Sequence, residues 1–345
     1  MKRILYPLLA VFLLVSCKSS SGEDATNTGI DGPLDPYAQN AALGRGINLG
    51  NALEAPSEGE WGIVLQSEWF RLIKEAGFNS VRIPIRWSAH TSEEAPYTID
   101  EDFFLRVDWA IQQALNNDLM VMINIHHYEE IFEQPAQERD KFLSIWEQIS
   151  ERYKDQPKEV LFEILNEPHN ELTAELWNDL LPLGLEKIRE HNPYRTVVIG
   201  AAEWGGVPGL LKLDIPDDGN LIVTVHYYEP FQFTHQGASW VDGANAWLGT
   251  SWDGTAAEVA AVENHFQTIV DWGEDRGVPI NIGEFGAFSA ADSPSRGRWT
   301  EAIVSFALEN DMSYHYWEFA SGFGIYNPND GSWDVELLRA LTETE

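Results

Sequence analysis

Short apolar runs recur eight times along the chain, and this recurrence constrains the fold more than any other feature. Most of the runs are nearly continuous in apolar residues rather than alternating, which is typical of strands covered on both faces, as in a parallel sheet. We therefore predict strands at residues 44–50, 79–85, 119–127, 159–165, 195–201, 220–228, 279–285 and 313–319.

Helical patterns lie between most of these strands. The clearest cover residues 66–76, 101–117, 138–154, 173–191, 257–276 and 297–310. The fifth connection, 202–219, is short and only weakly helical, whereas the sixth, 229–256, is long and rich in Trp, Gly and Ser. A loop of that length is more often functional than structural.

This strand–helix alternation predicts a single (β/α)8 TIM barrel over residues 37–345. The alternative is a doubly wound open sheet. Against it, the chain has no GxGxxG after its first strand and no GxxxxGK[ST] motif. No linker or change of composition divides residues 37–345, so we predict one catalytic domain there.

The charge of the chain argues against several classes of partner. Its 22 Lys and Arg residues against 55 Asp and Glu residues give a net charge of −33, which disfavours nucleic acid and anionic lipid headgroups. The 14 Trp residues suit stacking on sugar rings, although Trp also fills cores. A single Cys excludes a disulfide scaffold and a cysteine-based metal site.

The N-terminal segment has the pattern of a targeting signal. Two basic residues precede an apolar run, 4–15, that is too short to span a membrane. The run leads into Cys17 and resembles a bacterial lipobox; an ordinary signal peptide with a chance Cys is the alternative. We expect a lipoprotein signal peptide at 1–16 and an acylated Cys17 at the start of a flexible tether, 17–36. The protein would then sit in the cell envelope, touching a bacterial membrane through its N-terminal lipid only.

Polar and aromatic side chains gather at the C-terminal ends of the predicted strands, the barrel face where active sites form. They are Asn48, Arg82, His126, His127, Asn166, Glu167, His226, Tyr228, Glu284 and Trp317.

Two of these residues, Glu167 and Glu284, form the candidate catalytic pair. Glu167 follows an apolar strand, where desolvation raises a carboxyl pKa as a general acid requires. Glu284 is flanked by glycines, which allow close approach of a substrate. Strands four and seven face each other across a barrel mouth, and two facing carboxyls suit glycoside hydrolysis. Each residue alone also fits a structural role, and the spacing assigns neither their distance nor their roles.

The remaining strand-end residues are candidate supports. Arg82 could hold Glu284 ionised, or form a structural ion pair. His226 and Tyr228 point the same way by the period of two and could support the two carboxyls. Trp317 offers an apolar floor for a sugar ring, and Trp240, in the long sixth loop, could do the same further out.

His126 and His127 raise the question of a metal site. Because adjacent strand residues point to opposite faces, the two imidazoles should not bind one ion. We therefore predict contacts with sugar hydroxyls, no metal and no cofactor. The chain also lacks a GxSxG motif, which disfavours a serine nucleophile.

Seven segments together resemble glycoside hydrolase family 5, a retaining family of clan A. They cover nearly all of residues 42–342 and read GRGINLGNALEAP, VRIPIRW, INIHHYEE, FEILNEPH, HYYEPF, IGEFGAF and YWEFASGFGIY. The resemblance implies a (β/α)8 barrel in which Glu167 is the acid/base and Glu284 is the nucleophile. It also implies that Asn166 bonds the sugar 2-hydroxyl.

The wider match is similar to a bacterial subgroup of endo-β-1,4-glucanases, some of which also cut β-mannan. In that subgroup five matching positions contact sugars beyond the cleavage point: Asn51, Glu54, His126, His235 and Trp240. We expect an endo-acting retaining hydrolase of β-1,4-glucan (cellulose-type, mixed-linkage or xyloglucan) and, in second place, β-mannan or glucomannan. An exo-acting β-glycosidase or transglycosylase and a non-catalytic glycan-binding lipoprotein are the alternatives.

Overall fold

A computed structural model describes residues 29–344 of the chain. The predicted signal peptide, Cys17 and the first part of the predicted tether lie outside the described residues. Within residues 29–344, no helix is both long and apolar enough to cross a bilayer.

Eight parallel strands pair in sequence order and close on themselves, so that the first strand is bonded to the eighth. This closure confirms the predicted barrel and excludes the open sheet. The strands are β1 (Arg45–Asn48), β2 (Ser80–Ile83), β3 (Met120–Asn124), β4 (Val160–Glu163), β5 (Val197–Gly200), β6 (Leu221–Tyr227), β7 (Ile280–Phe285) and β8 (Ser313–Tyr316).

Helices surround the barrel, and capping residues mark the ends of several of them. The longest has a reciprocal capping box between Thr255 and Glu258 and ends at Gly277 in the left-handed conformation. The helices are α1 (Pro36–Leu43), α2 (Ser67–Glu75), α3 (Glu101–Asn116), α4 (Glu129–Glu133), α5 (Pro135–Arg152), α6 (Ala174–His191), α7 (Val207–Leu210), α8 (Phe231–Thr234), α9 (Ala256–Arg276), α10 (Ser293–Glu309) and α11 (Val335–Thr342).

Several elements were not anticipated. The helix α1 begins at the last residue of the predicted tether, and Leu43 at its end joins an apolar cluster inside the barrel. The helix α11 ends the described chain, and a small hairpin, β9 (Tyr326–Asn327) with β10 (Ser332–Trp333), lies between β8 and α11. The fifth connection contains only the single turn α7, in keeping with its weak pattern.

The barrel interior is layered from apolar to polar. At its lower end six residues form a cluster separate from the main core: Leu43, Met120, Met122, Leu161, Val198 and Ile222. Above it lie buried polar side chains that bond one another, including Ser80 to His315, and Asn281 to Ser313 and Thr224. Burying polar groups is costly unless they are paired, so this layer gives the residues above it a rigid base.

Candidate active site

Glu284 lies near the end of β7, buried and surrounded by donors. Arg82 Nη1 donates to its Oε1 over 2.7 Å, and the Tyr228 hydroxyl donates to its Oε2 over 2.9 Å. Burial alone would raise the pKa of Glu284, but the charges of His226 and Arg82 and the hydrogen bonds of Arg82 and Tyr228 lower it below the ordinary glutamate value. The carboxyl is therefore held as an anion, as a nucleophile requires.

Glu167 lies four residues beyond β4, in a segment that leaves the strand geometry. Its backbone has a φ of 43°, and its side chain is 22% exposed. His226 Nδ1 lies 2.7 Å from Glu167 Oε1 and 3.7 Å from Glu284 Oε2. Burial would lower the pKa of His226, but these two carboxyls raise it above the ordinary histidine value. The imidazole thus links the two acidic groups.

The two carboxyls converge as the barrel geometry predicts. One oxygen from each, together with one His226 nitrogen, lies within 4.8 Å of the others. Such a triplet resembles a cation site, but here the His226 imidazole bonds Glu167, and Arg82 already supplies positive charge to Glu284.

Arg82 joins four residues from three strands or their ends. Its guanidinium donates to Glu163 through Nε and Nη2 (2.6 and 2.8 Å), to Asn48 and Glu284 through Nη1 (2.8 and 2.7 Å), and to Asn166 through Nη2 (2.7 Å). Because Asn166 accepts through Oδ1, its Nδ2 is left as a donor. The geometry suits a contact from Asn166 to a sugar hydroxyl.

His126 and His127 lie side by side, which corrects one expectation. The argument from strand alternation was wrong, because β3 ends at Asn124 and His127 has a φ of 52°. The two ring centroids are 4.4 Å apart, and His126 lies parallel to Trp317 at 5.8 Å. Burial and neighbouring positive groups hold the pKa of His126 well below its usual value, so this ring is neutral.

Trp317 and Asn51 flank Gly50 on one side of the site. A Cβ added to Gly50 would lie 2.9 Å from the Trp317 ring, so only glycine allows this approach. Asn51 Nδ2 bonds the Ser321 hydroxyl, which joins the loops after β1 and β8.

Glu54 does not line the open cleft, contrary to the expectation that it contacts sugar. It is fully buried, and its carboxyl accepts hydrogen bonds from the backbone N–H groups of Asn51 and Ala52. Burial raises its pKa to about 7. The side chain therefore holds the loop that carries Asn51, rather than facing a ligand directly.

His235 and Trp240 lie on the sixth loop. His235 is largely buried, stacks on Phe231 at 4.0 Å and contacts the Tyr228 ring edge-on at 5.1 Å. Trp240 is 61% exposed and leans against Phe288 at 5.1 Å. Of the two, Trp240 is the side chain available to a ligand.

Two residues of the site were missed in the sequence. Glu163 was read only as part of an apolar strand, although a charged residue inside such a strand demands a buried partner. Trp204, which is not among the predicted sugar-binding residues, is 55% exposed and stacks on His169 at 5.0 Å. His169 Nδ1 in turn lies 2.6 Å from the carbonyl oxygen of Glu167, so His169 connects Trp204 to the backbone of the candidate acid.

Comparisons with known proteins show the family of the chain. Residues 44–322 match the family model described as cellulase (glycosyl hydrolase family 5). The chain belongs to glycosyl hydrolase family 5. The predicted resemblance is thereby confirmed.

Relatives of this family 5 hydrolase are bacterial. It is 38% identical to Endoglucanase H of Acetivibrio thermocellus over 89% of the chain, but spans only 34% of that protein. It spans 37% of another relative, the Cellulase/esterase CelE of the same organism. The chain thus covers about a third of the length of these relatives.

Solved structures match over their full length. Thermotoga maritima Cel5A, in a complex with mannotriose, is 50% identical, with a TM-score of 0.88 over 89% of this chain and all of that one. A cellobiose complex of the same protein matches equally well. The cellulose synthase subunit Z of Clostridioides difficile is 40% identical with a TM-score of 0.84, over 87% of this chain and 99% of that one.

Proposed function

We propose that this family 5 hydrolase is an endo-acting β-1,4-glucanase that retains the anomeric configuration. The observation that carries the proposal is the approach of Glu167 and Glu284 to within 4.8 Å at the C-terminal end of the barrel. Retaining glycosidases hold their carboxyls about 5–5.5 Å apart, whereas inverting enzymes need about 6.5–9.5 Å to admit a water.

The reaction proceeds in two displacements. Glu284 attacks the anomeric carbon while Glu167 gives its proton to the glycosidic oxygen, so the leaving chain departs as an alcohol and a glycosyl ester forms on Glu284. Glu167, now ionised, takes a proton from water, and the resulting hydroxide attacks the same carbon. The ester bond breaks, and both carboxyls return to their starting states.

Three side chains give the two carboxyls different surroundings. Arg82 and Tyr228 stabilise the negative charge of Glu284. His226 contacts Glu167 and can follow its change of charge between the two steps.

The substrate class follows from the relatives and from the aromatic cleft. Several relatives are named endoglucanases, and the solved relative was obtained with both cellobiose and mannotriose. We infer that β-1,4-glucan is the main substrate and that β-mannan or glucomannan is also cut. Trp317 and the exposed Trp240 supply apolar faces for the sugar rings.

A panel of soluble polysaccharides tests the proposal: carboxymethylcellulose, mixed-linkage β-glucan, xyloglucan and glucomannan. Endo action predicts oligosaccharides of intermediate length as the first products, whereas an exo-acting enzyme would release only mono- or disaccharide. Glu167→Gln and Glu284→Gln are the controls. If wild-type protein cuts none of these polymers, the proposal fails and the glycan-binding alternative gains support.

We also propose that the enzyme is a lipoprotein of the cell envelope. The support is the sequence pattern that ends at Cys17, outside the described residues. Expression of the full chain in a bacterium with labelled palmitate should place label in the membrane fraction, and Cys17→Ala should abolish it. Label that persists in Cys17→Ala, or wild-type protein recovered without label, would contradict the proposal.

A further inference from the structure

Glu163 is a buried acidic residue below the two candidate catalytic carboxyls. It ends β4, four residues before Glu167, and its side chain is 1% exposed. Both of its oxygens accept hydrogen bonds from Arg82, at 2.6 and 2.8 Å. A buried carboxylate paired in this two-point manner is among the stronger ion pairs that proteins form.

Arg82 has no spare donor for any further group. A guanidinium carries five N–H bonds, and here two go to Glu163 and one each to Asn48, Asn166 and Glu284. Glu163 therefore receives two of the five, against one for Glu284. Glu163 therefore already balances much of the positive charge that Arg82 presents to Glu284.

We propose that Glu163 is a positioning residue that holds the Arg82 fork and limits how much of its charge reaches the nucleophile Glu284. The inference rests on the proposed function, because it assigns Glu163 a purpose only if Glu284 attacks the sugar. Without Glu163, the full positive charge of Arg82 would act on Glu284. It would keep that carboxylate ionised but make it a weaker nucleophile, since stabilising an anion lowers its reactivity.

Other charged and titratable groups around this centre do not replace Glu163. Glu284 faces His226 and Tyr228 from β6 and its end, and Glu167 from the segment after β4. The imidazoles of His126 and His315 also lie near the charge of Arg82. Burial lowers the pKa of both, so both are neutral. Of the groups around Arg82, Glu163 is thus the anion that competes with Glu284 for it.

The test is Glu163→Gln, which removes the charge with little change of shape. The probe is a 2-deoxy-2-fluoro-β-cellobioside with a dinitrophenolate leaving group, which traps the glycosyl ester and needs no proton from Glu167. The pH dependence of the inactivation rate then reports the ionisation of Glu284, together with His226 to which it is coupled, and not the proton donation by Glu167. We expect the inflection of Glu163→Gln to move to lower pH by about half a unit or more, and the plateau rate to fall.

A purely structural role predicts the opposite direction. If Glu163 only held Arg82 in place, its loss would weaken the contact of Arg82 with Glu284, and the inflection would move to higher pH. That result, or no movement, overturns the proposal. Glu163→Asp, which keeps the charge, should stay within about 0.3 unit of wild type; if Glu163→Gln does not fold, a larger shift in Glu163→Asp overturns the proposal instead.

Two controls separate this inference from the proposed function. Glu263→Gln removes an equal charge from an exposed position on α9 and should leave the inflection unchanged. If the wild-type protein is not labelled at Glu284 at all, the proposed function itself fails. If it is labelled and only the shift is missing, the role of Glu163 alone is wrong.

Discussion

Two side chains of identical chemistry, Glu167 and Glu284, need opposite protonation states at the start of the proposed reaction. Their surroundings differ accordingly. Glu284 is buried and accepts from Arg82 and Tyr228, whereas Glu167 is 22% exposed and contacts His226. Placing titratable groups of one type in unlike environments separates the acid from the nucleophile.

The Tyr228 hydroxyl offers a direct test of this separation. Tyr228→Phe removes the donor to Glu284 Oε2 and should raise the pKa of Glu284, because the charged form loses stabilisation. We expect the acid limb of the profile of kcat/KM against pH to move to higher pH. An unchanged acid limb would contradict the assignment.

The role of Glu167 predicts a dependence on the leaving group. Glu167→Ala should lower kcat on cello-oligosaccharides by about 10²–10⁴-fold, the usual contribution of general acid catalysis. On dinitrophenyl cellobioside, which needs no proton, formation of the glycosyl ester should stay near the wild-type rate. Azide should restore turnover of that substrate by replacing water. Equal losses on both substrates would show that Glu167 is not the acid.

Most residues of the candidate site could be predicted from the sequence. Polar side chains after apolar strands identified Glu167 and Glu284, because the barrel brings all strand ends to one face. Glu163 escaped because its strand was read as apolar throughout, and the relation of His126 to His127 was wrong because the strand ends earlier than predicted. The second error comes from side-chain direction, which depends on where a strand stops.

At the scale of elements, the loops after β1 and β8 depend on two buried carboxyls. Glu318 accepts from the backbone N–H groups of Ala320, Ser321 and Phe323, as Glu54 does in the loop after β1. Burial raises the pKa of Glu318 to about 8, and the charge of Glu54 adds to the effect. The two loops are thus folded around groups that hold protons near neutral pH.

These carboxyls predict how stability depends on pH. Each binds its proton more tightly in the folded chain, so its stabilising contribution is complete below about pH 4.5 and is lost as pH rises through about 7 for Glu54 and about 8 for Glu318. The melting temperature of wild type should therefore fall more steeply between pH 5 and 9 than that of Glu318→Gln. If the melting temperatures of the two proteins fall equally with pH, this linkage is excluded.

The loop between β5 and α7 presents Trp204 by an unusual backbone. Glu203, Trp204 and Gly205 all have positive φ values, of 56°, 57° and 68°. A hydrogen bond of 3.0 Å from the His226 N–H to the Gly205 carbonyl stabilises this strained backbone. In the proposed reaction Glu167 protonates the leaving group, so we expect Trp204 to lie on the side where the departing chain binds.

Removal of Trp204 should therefore affect long substrates only. Trp204→Ala should raise KM for cellohexaose by about 3- to 10-fold, the equivalent of roughly 1 kcal/mol of stacking, and should leave hydrolysis of an aryl cellobioside unchanged. Tyr194→Ala, at a half-exposed aromatic before β5 at the opposite end of the barrel, is the matched control. Equal effects on short and long substrates would place Trp204 outside the binding path.

At the scale of the whole molecule, periodicity was sufficient to predict the barrel. Every predicted strand is present, and each is shortened at one or both ends, because apolar residues continue beyond the last ladder bond. The helix α1 was missed because its eight residues lack a strong amphipathic pattern. Contacts distant in sequence stabilise it: Asn40 Nδ2 donates to the Ile280 carbonyl, and the Ser313 hydroxyl donates to Asn40 Oδ1. A local sequence pattern cannot predict such contacts.

The stereochemistry of the first product tests the whole account most directly. Proton NMR of cellopentaose hydrolysis, recorded before mutarotation, reports the anomer that the enzyme releases. Two displacements through Glu284 predict the β-anomer first, with the α-anomer appearing only as the sugar equilibrates. Initial release of the α-anomer, with hydrolysis abolished in Glu284→Gln, would contradict the proposed roles of Glu167 and Glu284.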